Sequence, residues 1–90
     1  MKLYLAGPDV FRPDALAWAE ESRALCAALG HVALIPLDGV ETTAIGIYQA
    51  NIELIRTADA VIANLEPLRG CGPESGTCVE VGFALALGKP

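Results

Sequence analysis

Positive charge is scarce in this chain: six Lys and Arg face eleven Asp and Glu across 90 residues, for a formal net charge of −5. No basic stripe is available to meet a phosphate backbone, which argues against a nucleic-acid polymer as partner. Cysteine is also sparse. Cys26, Cys71 and Cys78 form an odd set without a CxxC spacing, and the chain has a single His. That leaves no zinc set and implies free thiols in a reducing cytoplasm. Long hydrophobic runs are missing as well. Leu3 to Ala6 is cut short by Gly7-Pro8, too brief for a signal peptide or a membrane span. The expected setting is therefore cytoplasmic, away from membranes. What is abundant is apolar character, at 53% of residues and a mean hydropathy of +0.45. This excludes disorder. A domain of this size buries only about 60–65% of its unfolded surface, so part of that apolar surface is expected to be covered by other chains.

Two periodicities alternate along the sequence. Leu3-Tyr4-Leu5-Ala6, Val32-Ala33-Leu34-Ile35 and Ala60-Val61-Ile62-Ala63 are short apolar runs stopped by turn or polar residues, as in strands buried on both faces. Residues 14–29 predict a helix, with Pro13 in its first turn, Gly30 as its C-terminal stop and a stripe of Leu16, Ala19, Arg23, Cys26 and Leu29. Ile45, Tyr48, Ile52 and Ile55 repeat at three- and four-residue steps and predict a second helix over 44–57. Residues 38–43 read as a loop, and 65–76, with two Pro and three Gly, as a longer one of the kind that carries function. A third helix is expected over 77–87, stopped by Gly88. Gly82 within it suggests close packing against another backbone.

The order β-α-β-α-β-loop-α implies one α/β domain over residues 1–90, with a parallel sheet and right-handed crossovers. A doubly wound sheet would launch its fourth strand at Gly88-Lys89-Pro90. Residues 1–90 therefore resemble the first two-thirds of such a domain, or a chain that borrows the rest from a partner.

Ligands of open parallel sheets bind beyond the carboxyl ends of the strands. Gly7-Pro8-Asp9 lies there but matches no phosphate loop, since it has neither GxGxxG nor GxxxxGK[ST]. Alone it reads as a tight turn, with Asp9 a solvated turn residue or cap. Glu80 has two readings. Flanked by Cys78, Val79, Val81 and Phe83, it is a carboxylate held ionised by a helix N-terminus yet poorly solvated, suited to act as a nucleophile. Equally, it completes an exposed capping box with Thr77. Tyr4, polar-tipped in an apolar strand, either satisfies its hydroxyl at the core edge or reaches Glu80. Asn51 interrupts an apolar stripe as either a surface residue or a site amide.

Tyr4-Leu5-Ala6-Gly7-Pro8-Asp9-Val10-Phe11, Ile47-Tyr48-Gln49-Ala50-Asn51, Ala58 to Leu65, and Glu74-Ser75-Gly76-Thr77 running through Glu80-Val81-Gly82-Phe83-Ala84 to Pro90 together resemble the nucleoside 2-deoxyribosyltransferase family. The resemblance spans nearly the whole chain, and its last block is the most specific. It implies a flavodoxin-like sheet, a homo-oligomer with shared active sites, and deoxynucleosides and free nucleobases as substrates, with no cofactor or metal. It further implies transfer of 2-deoxyribose between bases through a covalent sugar–enzyme ester. By position, Glu80 matches the nucleophile and Tyr4 the tyrosine that orients it. Glu74 falls where the family usually has an Asp gripping a sugar hydroxyl, and Asn51 where many members have an Asp near the leaving base. Asp38 and Phe11 lie in base-pocket segments, while Gly7, Asp9 and Gly76 fall in the substrate-binding segments around them. The same scaffold suits an N-glycoside hydrolase of nucleosides or deoxynucleotides, although an acid at position 9 argues against a 5′-phosphate. A catalytically silent nucleoside-binding or assembly module is the third reading.

Overall fold

The computed structural model describes residues 1–36, 43–67 and 72–90. Its elements run β1 (Lys2–Ala6), a 3-10 turn (Pro8–Phe11), α1 (Ala15–Ala28), β2 (Val32–Leu34), α2 (Ala44–Thr57), β3 (Ala60–Ala63) and α3 (Ser75–Ala86). The strands form one parallel sheet in the order β2-β1-β3. Tyr4 pairs with Leu34 on one side and Val61 on the other, and Ala6 pairs with Ala63. The chain thus winds outward from β1 in both directions, the start of a flavodoxin-like 2-1-3 order.

Alternation along β1 sets the layers. Tyr4 and Ala6 are buried, and they pack with Ile55 of α2, Ala58 and Ala84 of α3 into the main core cluster. Leu54, Val61, Ala63 and Phe83 close around them. Lys89 reaches back from beyond α3, its Nζ donating to the carbonyls of Arg56 at 3.0 Å and Ala58 at 2.7 Å. Those bonds satisfy carbonyls left open at the end of α2 and tie the two helices together. Among the described residues, no helix is long and apolar enough to cross a membrane.

Several expectations need correction. Helix α1 begins after Asp14, so Pro13 precedes the helix rather than opening it. The Asp14 carboxylate makes no cap; it takes two hydrogen bonds from Arg12 instead, at 2.8 and 2.9 Å. The predicted stripe holds in its middle and fails at its ends: Ala19 is buried and Arg23 and Cys26 are half-buried, whereas Leu16 and Leu29 are exposed. Helix α1 packs along a strand of three residues, which offers too little surface to cover the long leucines. In α2, Ile55 is buried as expected, but Ile45 and Tyr48 stay in solvent. Gly82 does not pack against the sheet: among the described residues a Cβ there would meet nothing within 4 Å, which leaves a second subunit as the other backbone it was expected to meet.

Candidate active site

Two loops leave the adjacent carboxyl ends of β1 and β3, and a glycine lets them touch. Gly7 has a φ of +149°, a region that L side chains rarely adopt, and a Cβ there would lie 2.7 Å from Asn64 Cβ. Asn64 binds the first loop at two levels. Its backbone N–H donates to Ala6 O at 2.8 Å, and its Nδ2 donates to Asp9 Oδ2 at 3.0 Å. Glu66 N–H in turn donates to Asn64 Oδ1. Asp9 also forms an ion pair with Arg12 at 3.6 Å. Asp9 is thus neither a free turn residue nor part of the cleft lining; it holds the 3-10 turn that brings Val10 and Phe11 to the cleft. Gly7→Ala is expected to cost about 2 kcal/mol of stability or more, from forced positive φ and displacement of Asn64. Urea denaturation measures it, and an unchanged midpoint with an unchanged slope would contradict this account of Gly7.

Helix α3 starts two residues earlier than the sequence suggests, and Glu74 is its N-cap. Oε1 of Glu74 accepts from Gly76 N–H at 3.0 Å. Oε2 accepts from Thr77 N–H at 2.8 Å and from the Thr77 hydroxyl at 3.0 Å. The capping box read into Thr77 and Glu80 is therefore absent. Thr77, buried, sits inside the first turn, and Glu80 lies in the second. Pattern alone favours Thr over Glu as a cap, but the longer glutamate side chain reaches two amides and a hydroxyl together.

Glu80 faces the sheet rather than solvent. The Tyr4 hydroxyl, contributed 76 residues earlier by the central strand, donates to Glu80 Oε2 at 2.6 Å. Such a short O–H···O⁻ bond is charge-assisted. Tyr4 is fully buried. Burial first, then the Glu80 hydrogen bond and charge, raise its pKa far above the usual phenol range, so it remains a donor. Glu80 is pushed above the ordinary carboxylate range, chiefly by burial and further by the Glu74 charge, against the opposing pull of the Tyr4 hydrogen bond. For Glu74, burial opposes ionisation, but the bonds from Gly76 and Thr77 outweigh it and hold its pKa below the usual value. Two carboxylates of one helix are thus driven in opposite directions, an arrangement that separates chemical roles.

A cleft of about 120 Å³ is lined by Gly7, Val10, Phe11, Pro36, Asn51, Glu74, Gly76 and Glu80. Six of the proposed site residues therefore converge here, and Tyr4 adjoins them through Glu80. Asp38 lies outside the described residues. A second groove of about 250 Å³ runs between α2 and α3, sharing Asn51, Gly76 and Glu80 with the first but otherwise lined by apolar residues and Tyr48. Among the described residues, no group of three or more His, Cys, Asp and Glu is placed to hold a metal ion. Cys26 and Cys78 are free thiols. Sequence reading overlooked Asn64 and Arg12 as site-shaping residues and gave Thr77 the part of a cap. Of the first two, the position of Asn64 at the end of the third strand was the one signal.

A parallel sheet wound outward from β1, with helices packed on it, defines a flavodoxin-like domain, and two carboxylates line a cleft at its carboxyl edge. Residues 3–90 match the nucleoside 2-deoxyribosyltransferase family, to which the chain belongs. Among solved structures it is similar to a 2-deoxyribosyltransferase from Leishmania mexicana, with 46% identity and a TM-score of 0.89 over 98% of this chain and 59% of that one. It is also similar to the 2-deoxyribosyltransferase of Bacillus psychrosaccharolyticus, with 26% identity and a TM-score of 0.74 over 100% and 69% of the two chains. An uncharacterised Schizosaccharomyces pombe protein, C191.05c, is 34% identical over an alignment covering 98% of this chain and 46% of that protein. The chain thus spans less than half the length of the yeast relative and about three-fifths of the Leishmania enzyme.

Proposed function

We propose that the chain carries the catalytic half-site of a nucleoside deoxyribosyltransferase, with Glu80 as nucleophile. The observation that carries this reading is the Tyr4–Glu80 hydrogen bond of 2.6 Å on a half-buried carboxylate lining the cleft. Oε2 is held by the phenol, which leaves Oε1 to attack the anomeric carbon of a 2′-deoxynucleoside. The C1′–O bond forms as the C1′–N bond breaks, through an oxocarbenium-like state. The bonding pair leaves with the base, which takes a proton from water; Asn51 has no acidic proton to give and serves as a hydrogen-bonding amide. A second base attacks C1′ from the vacated side, expels Glu80 as carboxylate and loses a proton. Raised basicity suits Glu80 to bond carbon, while the ionised Glu74 remains fixed as the cap. Phe11 and Val10 supply an apolar wall for the base.

Incubation with deoxyinosine, with and without adenine, tests the reading. New deoxyadenosine that depends on adenine is the expected result. Hypoxanthine released regardless of acceptor would instead identify a hydrolase, and binding without turnover a silent module.

Water must be kept from the ester if a base is to collect the sugar. Along the groove that opens onto Glu80, Tyr48 is 56% exposed, Val79 53% and Ile47 43%. A second copy covering this face, and sharing the site, would supply the shielding. Light scattering at micromolar concentration is expected to give at least twice the 9.4 kDa chain mass, and a stably folded monomer would refute the assembly.

A further inference from the structure

Asn51 stands where the resemblance places an acid beside the departing base, and an amide meets different partners than an acid does. We infer that Asn51 makes the site selective for 6-oxopurines, bases of the hypoxanthine and guanine kind, over 6-aminopurines such as adenine. The inference deepens, and rests on, the reading of Glu80 as nucleophile.

Placement comes first. Asn51 lies one helical turn before Ile55, a fully buried residue of α2, so its position is fixed by the core. It is half-buried and lines both the 120 Å³ cleft and the 250 Å³ groove, in each case together with Glu80. Its side chain makes no hydrogen bond with another described residue, so both ends of the amide are available to a ligand. Glu74 and Glu80 are the other polar side chains lining the cleft, and when ionised both are acceptors. Among the described residues, Asn51 Nδ2 is therefore the one side-chain donor in that lining.

Chemistry then decides which base this suits. As the C1′–N9 bond breaks, its electron pair passes into the purine ring, and in a 6-oxopurine it spreads onto N7 and O6. Water protonates N7. The incoming base returns a proton to water when its N9 bonds to C1′, so the exchange is proton-neutral. The departing 6-oxopurine thus shows an N7–H donor beside the O6 acceptor. An amide is complementary to that pair: Oδ1 accepts from N7–H while Nδ2 donates to O6. Departing adenine shows N7–H beside the N6 amine, two donors, and the amide can satisfy only one. Its own N–H then faces the amine in a cleft partly stripped of water, where an unmatched donor is costly. A carboxylate, accepting at both oxygens, would serve adenine. Asn51 has no proton to give, and this pairing stabilises the leaving base without one. Selectivity is a ratio of rates, so adenine remains an acceptor, at a lower rate.

A competition tests this. Hypoxanthine and adenine at equal concentration share the deoxyribose of deoxyguanosine. The initial ratio of deoxyinosine to deoxyadenosine gives their relative kcat/KM, whatever the rate of the donor step. In wild type the ratio is expected to be about ten or more. Asn51→Asp should lower it about tenfold, because the carboxylate accepts from both N7–H and the N6 amine. A side chain that only held α2 in place would change both products together. A ratio that Asn51→Asp leaves unmoved therefore overturns the inference, as does a wild-type ratio near one. Calorimetric binding of the free bases to wild-type protein gives a second readout that needs neither a variant nor turnover. Hypoxanthine should bind about tenfold tighter than adenine, and about tenfold tighter than 7-deazahypoxanthine, which has carbon in place of N7. Equal affinities would overturn the inference, while transfer to either base would leave the transferase reading standing. Tighter hypoxanthine binding without turnover would uphold the pairing and sink the transferase reading.

Discussion

Glu80→Gln should abolish deoxyribosyl transfer while leaving the fold unchanged. The amide has the shape of the carboxylate, and its oxygen still accepts from Tyr4 in a longer, neutral hydrogen bond, so the packing around it survives. What disappears is the anionic oxygen that bonds to C1′. An amide is a far poorer nucleophile, and the expected loss in kcat is about three orders of magnitude or more, or roughly 4 kcal/mol of barrier. Glu80→Ala should lose as much turnover, with a modest stability change because the buried Tyr4 hydroxyl is left unpartnered. The decisive measurement is mass spectrometry of wild-type protein quenched with a slow 2-fluorinated deoxynucleoside. The added mass should map to the peptide containing Glu80 and be absent from Glu80→Gln. An adduct on Glu74, or a variant with wild-type rate, would show that the two carboxylates have been assigned the wrong way round.

Tyr4→Phe carries the second large effect. Phenylalanine fills nearly the same buried volume in β1, so thermal stability should stay within about 1 kcal/mol of wild type. Glu80, however, loses the donor that fixes Oε2, and its attacking oxygen is free to turn. The expected fall in kcat/KM is about ten- to one-hundredfold. The pH dependence has a definite sign. Tyr4 stabilises ionised Glu80 and so pulls its pKa down against the burial that raises it. Without the phenol, Glu80 ionises at higher pH, and the acid limb of kcat/KM moves upward. Glu74→Asn moves the same limb downward. Opposite displacements in these two variants would be hard to obtain if Glu80 were merely structural. A Tyr4→Phe profile superimposable on wild type would remove Tyr4 from the mechanism.

Much of the architecture was legible in local pattern, because local pattern is what fixes it. The third strand at Ala60–Ala63 and the second helix at Ala44–Thr57 lie where periodicity puts them, and the alternation of short apolar runs with helical segments dictates a parallel sheet. The convergence of Glu74, Gly76 and Glu80 was legible too, since one helix start holds all three. The reach of Tyr4 to Glu80 stood only as one of two readings. Other features depend on residues distant in sequence. Asn64 and Asp9 are 55 positions apart, and they meet because β1 and β3 are neighbours whose carboxyl ends coincide. Along α1 the middle of the expected stripe is covered, but its ends, Leu16 and Leu29, stay exposed beside a β2 of only three residues. The cap of α3 is Glu74 rather than Thr77, because Thr77 is buried inside the first turn and its hydroxyl donates to the preceding carboxylate. Short-range periodicity depends on which residues are apolar, and that much can be read along the chain; the pairing of polar groups depends on which of them burial strips of water, and only the tertiary structure decides that.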